Sequence, residues 1–206
     1  MPSSAPTHAE QVIAGDATPR SPEVSVESAD TTIVVAESTT TTTAVRPDGT
    51  FTMAFSGDTL IHRPIVRQAG IYANGVGYEF APMFARIKPL ISSVDLAVCH
   101  METPVAPDGE DLSGHPIYGV PKQVLAAVAG SGYERCSTAS NHSMDRGATG
   151  VDATVAALEA NGLGNSGMAR TPQEAEPQTF TNRGITMSHL SYTWGTNGIP
   201  RPAGQE

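Results

Sequence analysis

The chain has 206 residues, which permits one domain with an appendage or two small domains. Its 12 Lys and Arg stand against 21 Asp and Glu, for a formal charge of −9. That balance speaks against nucleic acid or an anionic membrane as the main partner.

The acidity is uneven along the chain. Residues 1–49 hold seven acids (Glu10, Asp16, Glu23, Glu27, Asp30, Glu37, Asp48) and two bases (Arg20, Arg46), and none of the Phe, Tyr or Trp residues. This stretch is rich in Ser, Thr, Ala and Pro and contains the run Thr39 to Thr43. It cannot bury enough apolar surface to offset its ordering entropy, so residues 1–49 read as a disordered Ser/Thr-rich tail, a linker or an extracellular stalk. Ile33-Val34-Val35 is too short to span a membrane, and no basic segment followed by an apolar one marks a signal peptide. Residues 50–206 form the folding unit.

In that unit Phe51, Met53 and Phe55 alternate with Thr52, Ala54 and Ser56, which predicts a strand ending at Ser56-Gly57-Asp58. An irregular stretch with Gly70, Gly75 and Gly77 follows. Phe80, Phe84, Ile87 and Ile91 recur at helical spacing, with Pro82 in a first turn and Pro89 ending or bending the helix. Asp95 to Cys99 is a short apolar run suited to a buried parallel strand, ending at His100-Met101-Glu102. After a Pro- and Gly-rich loop, Pro121 opens a second helix that presents Val124, Leu125 and Val128 and stops at Gly130. Tyr133 to Ala139 reads as a strand ending at Ser140-Asn141-His142. A third helix spans about 150–160, with Val151, Val155 and Leu158 inward. A short strand is expected near Leu163, and Gln178–Phe180 with Ile185–Tyr192 flank Asn182-Arg183-Gly184 as a hairpin. Cys99 and Cys136 are read as small buried thiols at strand ends, with a single bridge as the alternative if the strands are neighbours.

The order is that of an α/β fold with a largely parallel sheet. Such sheets carry their sites outside the carboxyl ends of the strands. Three successive strands end here in Asp58, Glu102 and Asn141-His142. Two carboxylates, an amide oxygen and an imidazole suit Mn, Zn, Fe or Mg. Each element has a plainer reading alone: a turn, a solvated carboxylate, a helix cap. Their recurrence at one structural place is what raises a metal site.

The same residues carry a family resemblance. Gly57-Asp58-Thr59-Leu60-Ile61-His62 resembles a Gly-Asp motif followed by a short apolar stretch. Asp95 to Pro104 resembles Asp-Leu-x-x-x-Asn-Leu-Glu-x-Pro, and Ser137 to Gly147 resembles Ala-Asn-Asn-His-x-x-Asp-x-Gly. These are motifs of the CapA-type poly-γ-glutamate capsule synthesis proteins, within the calcineurin-like metallophosphatase superfamily. The resemblance runs from about Phe51 to Trp194 and implies an αββα sandwich, here incomplete at its C-terminal side. It implies Asp58 as a first metal carboxylate, Glu102 as a bridging acid and Asn141 as an amide ligand. His142 would meet substrate or protonate a leaving group, with Asp145 orienting it. Leu60 stands where the superfamily has a ligand histidine, so His62 is a substitute candidate. His100 replaces an Asn, as a ligand or a polar filler beside the site. The family's later histidine segments have no counterpart before Glu206, so the site is expected to be half built and its activity uncertain. A truncated parallel sheet of this kind, with an open edge and uncovered apolar surface, predicts poor solubility.

Three functions follow as expectations. One is a role in capsule or envelope polymer synthesis, with a divalent metal acting on a phosphoester or an anionic envelope polymer. The second is a metal-dependent phosphoester hydrolase unrelated to capsule. The third is a non-catalytic envelope assembly factor. The resemblance implies an extracellular or cell-envelope location beside membrane-associated capsule machinery.

Overall fold

The alternating segment Met53–Asp58 forms strand β1 in the computed structural model, which describes residues 48–200, all within the unit Thr41–Glu206. The tail expected over 1–49 lies outside the described residues except for its last two. Strands β2 (Leu96–His100), β3 (Arg135–Ser137) and β4 (Gly164–Ser166) complete one sheet in the order β1-β2-β3-β4, every pair parallel. The C-terminal hairpin β5 (Thr179–Asn182) and β6 (Ile185–Ser188) is antiparallel and turns at Arg183-Gly184, both at positive φ. The mixed α/β architecture, parallel sheet and hairpin agree with the sequence reading.

Helices cover one face of the sheet. Helix α4 (Gln123–Gly130) buries Val124, Leu125, Ala127 and Val128, and α5 (Gly147–Ala160) buries Ala157 and Leu158, against Ala97, Cys99 and Cys136. Each fully buried Val or Leu contributes roughly 1.5–3 kcal/mol. The opposite face takes the hairpin and the segment after it. Arg183 pairs with the buried Asp95 at 2.8 Å, and the Arg135 guanidinium lies 3.9 Å over the Phe180 ring. His189 Nε2 is 2.9 Å from Ser137 Oγ, and the Ala139 amide donates to Ser191 Oγ.

Three expectations are corrected. The stretch after Asp58 is not irregular: Arg63–Tyr72 is helix α1, with Pro64 in its first turn and Ile65, Val66 and Ala69 toward the core. Gly70 interrupts the pattern and hides it from periodicity. The single helix expected over 80–91 is two short ones, α2 (Ala81–Phe84) and α3 (Lys88–Ile91), because Pro89 cannot continue a helix but opens a new one. The cysteines are not free. Cys99 and Cys136 are register partners on adjacent strands, 4.4 Å apart at Cα, and form a disulfide. Their side chains share the helix-covered face, which brings the sulfurs together. A one-turn helix, α6 (Pro172–Ala175), was not expected; Thr171 caps it by accepting from the Glu174 amide.

Edge strand β1 leaves Met53 and Phe55 exposed, and Leu190, Tyr192 and Trp194 are exposed in the segment after β6. Among the described residues no helix is long and apolar enough to cross a membrane.

Candidate functional site

The parallel ladder continues past the strand ends and sets the spacing of the site. Asp58 and His100 are register partners, the Thr59 amide donates to His100 O at 2.7 Å, and the Met101 amide donates to Ser137 O at 2.8 Å. Three strand ends are thereby held side by side, as the sequence pattern implies.

On the β1-β2 side, His100 Nε2 stands 3.8 Å from Asp58 Oδ1. Glu102 lies close to both. Burial raises its carboxyl above the ordinary range, and the negative charge of Asp58 and hydrogen bonding to it raise it further, while His142 and His100 pull it down. Its Oε2 is buried without a hydrogen-bond partner. Two adjacent carboxylates, one with an orphaned oxygen, and an imidazole at the edge are donor types that hard or borderline divalent cations take. Among the described residues, no three His, Cys, Asp or Glu side chains are grouped at ligand spacing.

On the β3 side the arrangement is closed. His142 Nδ1 is 2.8 Å from Asp145 Oδ2, and the Asp145 side chain is 0% exposed. The carboxylate fixes the proton on Nδ1 and leaves the Nε2 lone pair for the site. The same Oδ2 accepts the Tyr118 backbone amide at 2.7 Å. The Asn197 amide nitrogen, 3.4 Å from His142 Nδ1, is then a neighbour and not a donor to it. Asn141 is exposed, and its amide donates to Asn197 Oδ1 at 3.2 Å while its own oxygen accepts from Ser140 Oγ at 3.3 Å.

His62 does not join the contact between Asp58 and His100. It caps α1 with its backbone, and its ring meets Tyr118. Tyr118 is the residue that sequence reasoning missed. Its ring packs edge-on against His62, His115 and His142 with centroids at 5.4, 6.5 and 4.7 Å. Burial, then the nearby carboxylates of Glu102 and Asp145, push its phenol above the ordinary range, so the hydroxyl keeps its proton. The loop before Tyr118 carries no periodic signal. A trace exists in Gly119: a Cβ there would collide with the Arg146 guanidinium, which reaches Tyr118 O, Asp111 O, Ser113 Oγ and Glu110 to hold this loop.

A cleft of about 710 Å³ opens between β4 and the segment 189–200, lined among others by Asn165, Met168, His189 and Trp194. None of Asp58, His100, Glu102 or His142 lines it. The cleft and the converging titratable groups are therefore separate features of the molecule.

The model of the bacterial capsule synthesis protein family, PGA_cap, matches residues 52–206. The chain belongs to that family, in agreement with the CapA-type motifs. No curated protein matches the sequence.

Proposed function

We propose that this chain serves capsule or cell-envelope polymer synthesis through a divalent-metal site of the metallophosphatase kind, acting on a phosphoester or related bond. The observation that carries the reading is the Asp58–Glu102 carboxylate pair, with its orphaned Oε2, beside an imidazole already locked by Asp145. The raised carboxyl of Glu102 beside Asp58 is the cost of holding two acids together without a cation, a cost that a bound divalent ion would remove. Asp58 and Glu102 would hold the metal, with His100 and Asn141 at its edge. A bound divalent ion would supply an activated water and charge neutralisation of the phosphoryl oxygens. His142 contributes what the chain itself provides: a ring held through Nδ1, whose Nε2 can take a proton from water and, once protonated, hand it to the leaving group. Asp145 holds that ring and stabilises it when it becomes charged.

The buried Cys99–Cys136 bridge supports an oxidising, extracytoplasmic setting, as expected of an envelope protein.

Hydrolysis of p-nitrophenyl phosphate by the purified chain, with and without Mn²⁺, tests the reading. Turnover should depend on metal and fall by about 10²–10⁴-fold in His142→Ala. Turnover that ignores both metal and His142 would overturn it. Metal binding without any turnover would favour the non-catalytic assembly role.

A further inference from the structure

We propose that the cleft between β4 and the segment 189–200 is a second binding site, one that takes a small organic carboxylate with an apolar body through the Arg135 guanidinium. It is separate from the Asp58–Glu102 pair and does not rest on the metal reading.

The cleft holds about 710 Å³, enough for a small molecule. Arg135 is the one Arg or Lys that lines it. Alternation along β3 sends this side chain to the face opposite the disulfide. There the guanidinium is fixed in place: it lies 3.9 Å over the Phe180 ring, and a Cβ at Gly164 would collide with it. Its Nη2 donates to Asn165 O at 3.2 Å, while its Nε is buried without a partner. Among the described residues no carboxylate compensates the charge; burial is the one influence on its pKa, and lowers it. The other polar side chains of the cleft are already engaged. Asn165 donates to Met168 O at 2.6 Å and accepts from Thr138 Oγ1 at 2.7 Å. Ser143 donates to Thr138 O and Thr196 to Ile199 O. Glu174 pairs with Arg170 at 2.7 Å. The positive charge of Arg135 is what the cleft leaves unanswered.

Much of the remaining wall is apolar, with Met144 and Met168 buried and Leu190 and Trp194 open to water. A ligand's apolar body would cover that open surface. One cation answers one negative charge, and the planar guanidinium matches the two oxygens of a carboxylate. A phosphate monoester would bring a second charge that nothing here balances, with the exposed Glu176 on the wall opposing it. Were Arg135 there only to stack on Phe180, the cleft would take charged and neutral ligands alike.

Trp194 is the chain's single tryptophan, so its emission reports on the cleft. The test titrates the whole chain with hexanoate, and with hexanamide and acetate as controls. Hexanoate should shift the Trp194 emission and bind at least about tenfold more tightly than either control. Arg135→Gln should weaken hexanoate about tenfold, to the level of hexanamide, and leave hexanamide unchanged. Leu190→Glu alters an exposed residue and sets a negative charge on the wall. It should weaken hexanoate at least about fivefold and hexanamide much less, which keeps the proposal testable if Arg135→Gln misfolds. The proposal is overturned by no response of Trp194 to hexanoate, or by hexanamide or acetate binding as tightly as hexanoate. It is equally overturned by an unchanged hexanoate affinity in Arg135→Gln, or in Leu190→Glu where the first variant does not fold.

Discussion

His142 and Asp58 stand at the ends of strands two places apart in one sheet, yet their surroundings differ in kind. The imidazole side is buried and internally bonded: Asp145 holds His142 and Tyr118 with one oxygen, and Arg146 braces the loop behind them. The carboxylate side is open, with the Asp58 side chain 64% exposed and Glu102 pressed against a like charge. One side is held by its own hydrogen bonds; the other places two carboxylates together, the arrangement on which the proposed cation site rests. The proposed chemistry would draw on both: the protein supplies the fixed imidazole, and the open carboxylates would take the ion.

The bond linking the two sides should give the largest effect. The disulfide joins β2, which leads to Glu102, to β3, which leads to His142, across a sequence separation of 37. Replacing both cysteines by alanine should cost about 3–4 kcal/mol in urea unfolding. Both cysteines are at most 1% exposed, so dithiothreitol should reduce the bond only as fast as the chain opens. Asp145→Ala comes next. It strips two hydrogen bonds from a buried carboxylate and should cost about 2–4 kcal/mol, read by the same unfolding curve. Asp58→Ala, on the exposed side, should leave stability within about 0.5 kcal/mol.

His189 offers a smaller, pH-dependent probe of what supports the imidazole side from below. Burial, with Arg135 nearby, lowers its folded-state pKa below the usual histidine range. Its stabilising contribution is therefore present above the unfolded value of about 6.5 and is lost as pH falls below it. Thermal melts between pH 7.5 and 5.5 should decline more steeply in the parent than in His189→Gln. The smallest effect concerns sign. Glu102→Gln relieves like-charge repulsion, so the metal-free chain at pH 7 should be as stable as the parent or slightly more so. A clear loss would mean that the carboxylate side is as self-sufficient as the other.

Much of this contrast was legible in the sequence, for a physical reason. Strand ends are set by the apolar runs that precede them, so the strands leading to Asp58, Glu102 and Asn141-His142 end side by side once the sheet is parallel. The His142–Asp145 pairing follows from spacing within one turn. What escaped depended on long-range approach. Helix α1 was masked by Gly70 inside its pattern. The disulfide needed the register of β2 on β3, which no local signal sets. Tyr118 lies in a loop with no period, and its role comes from Asp145 and His62, 27 and 56 residues away. The contact of Asn141 with Asn197 likewise reaches a segment that carries no motif.

The central claim is that the Asp58–Glu102 pair is the seat of a divalent cation. Calorimetric titration of the metal-free chain with Mn²⁺ tests it most directly, run in parallel on Asp58→Asn and Glu102→Gln. The parent should bind, and each variant should bind at least about tenfold more weakly, with heat released in the parent alone at low metal. No binding by the parent, or equal binding by all three proteins, would contradict the account.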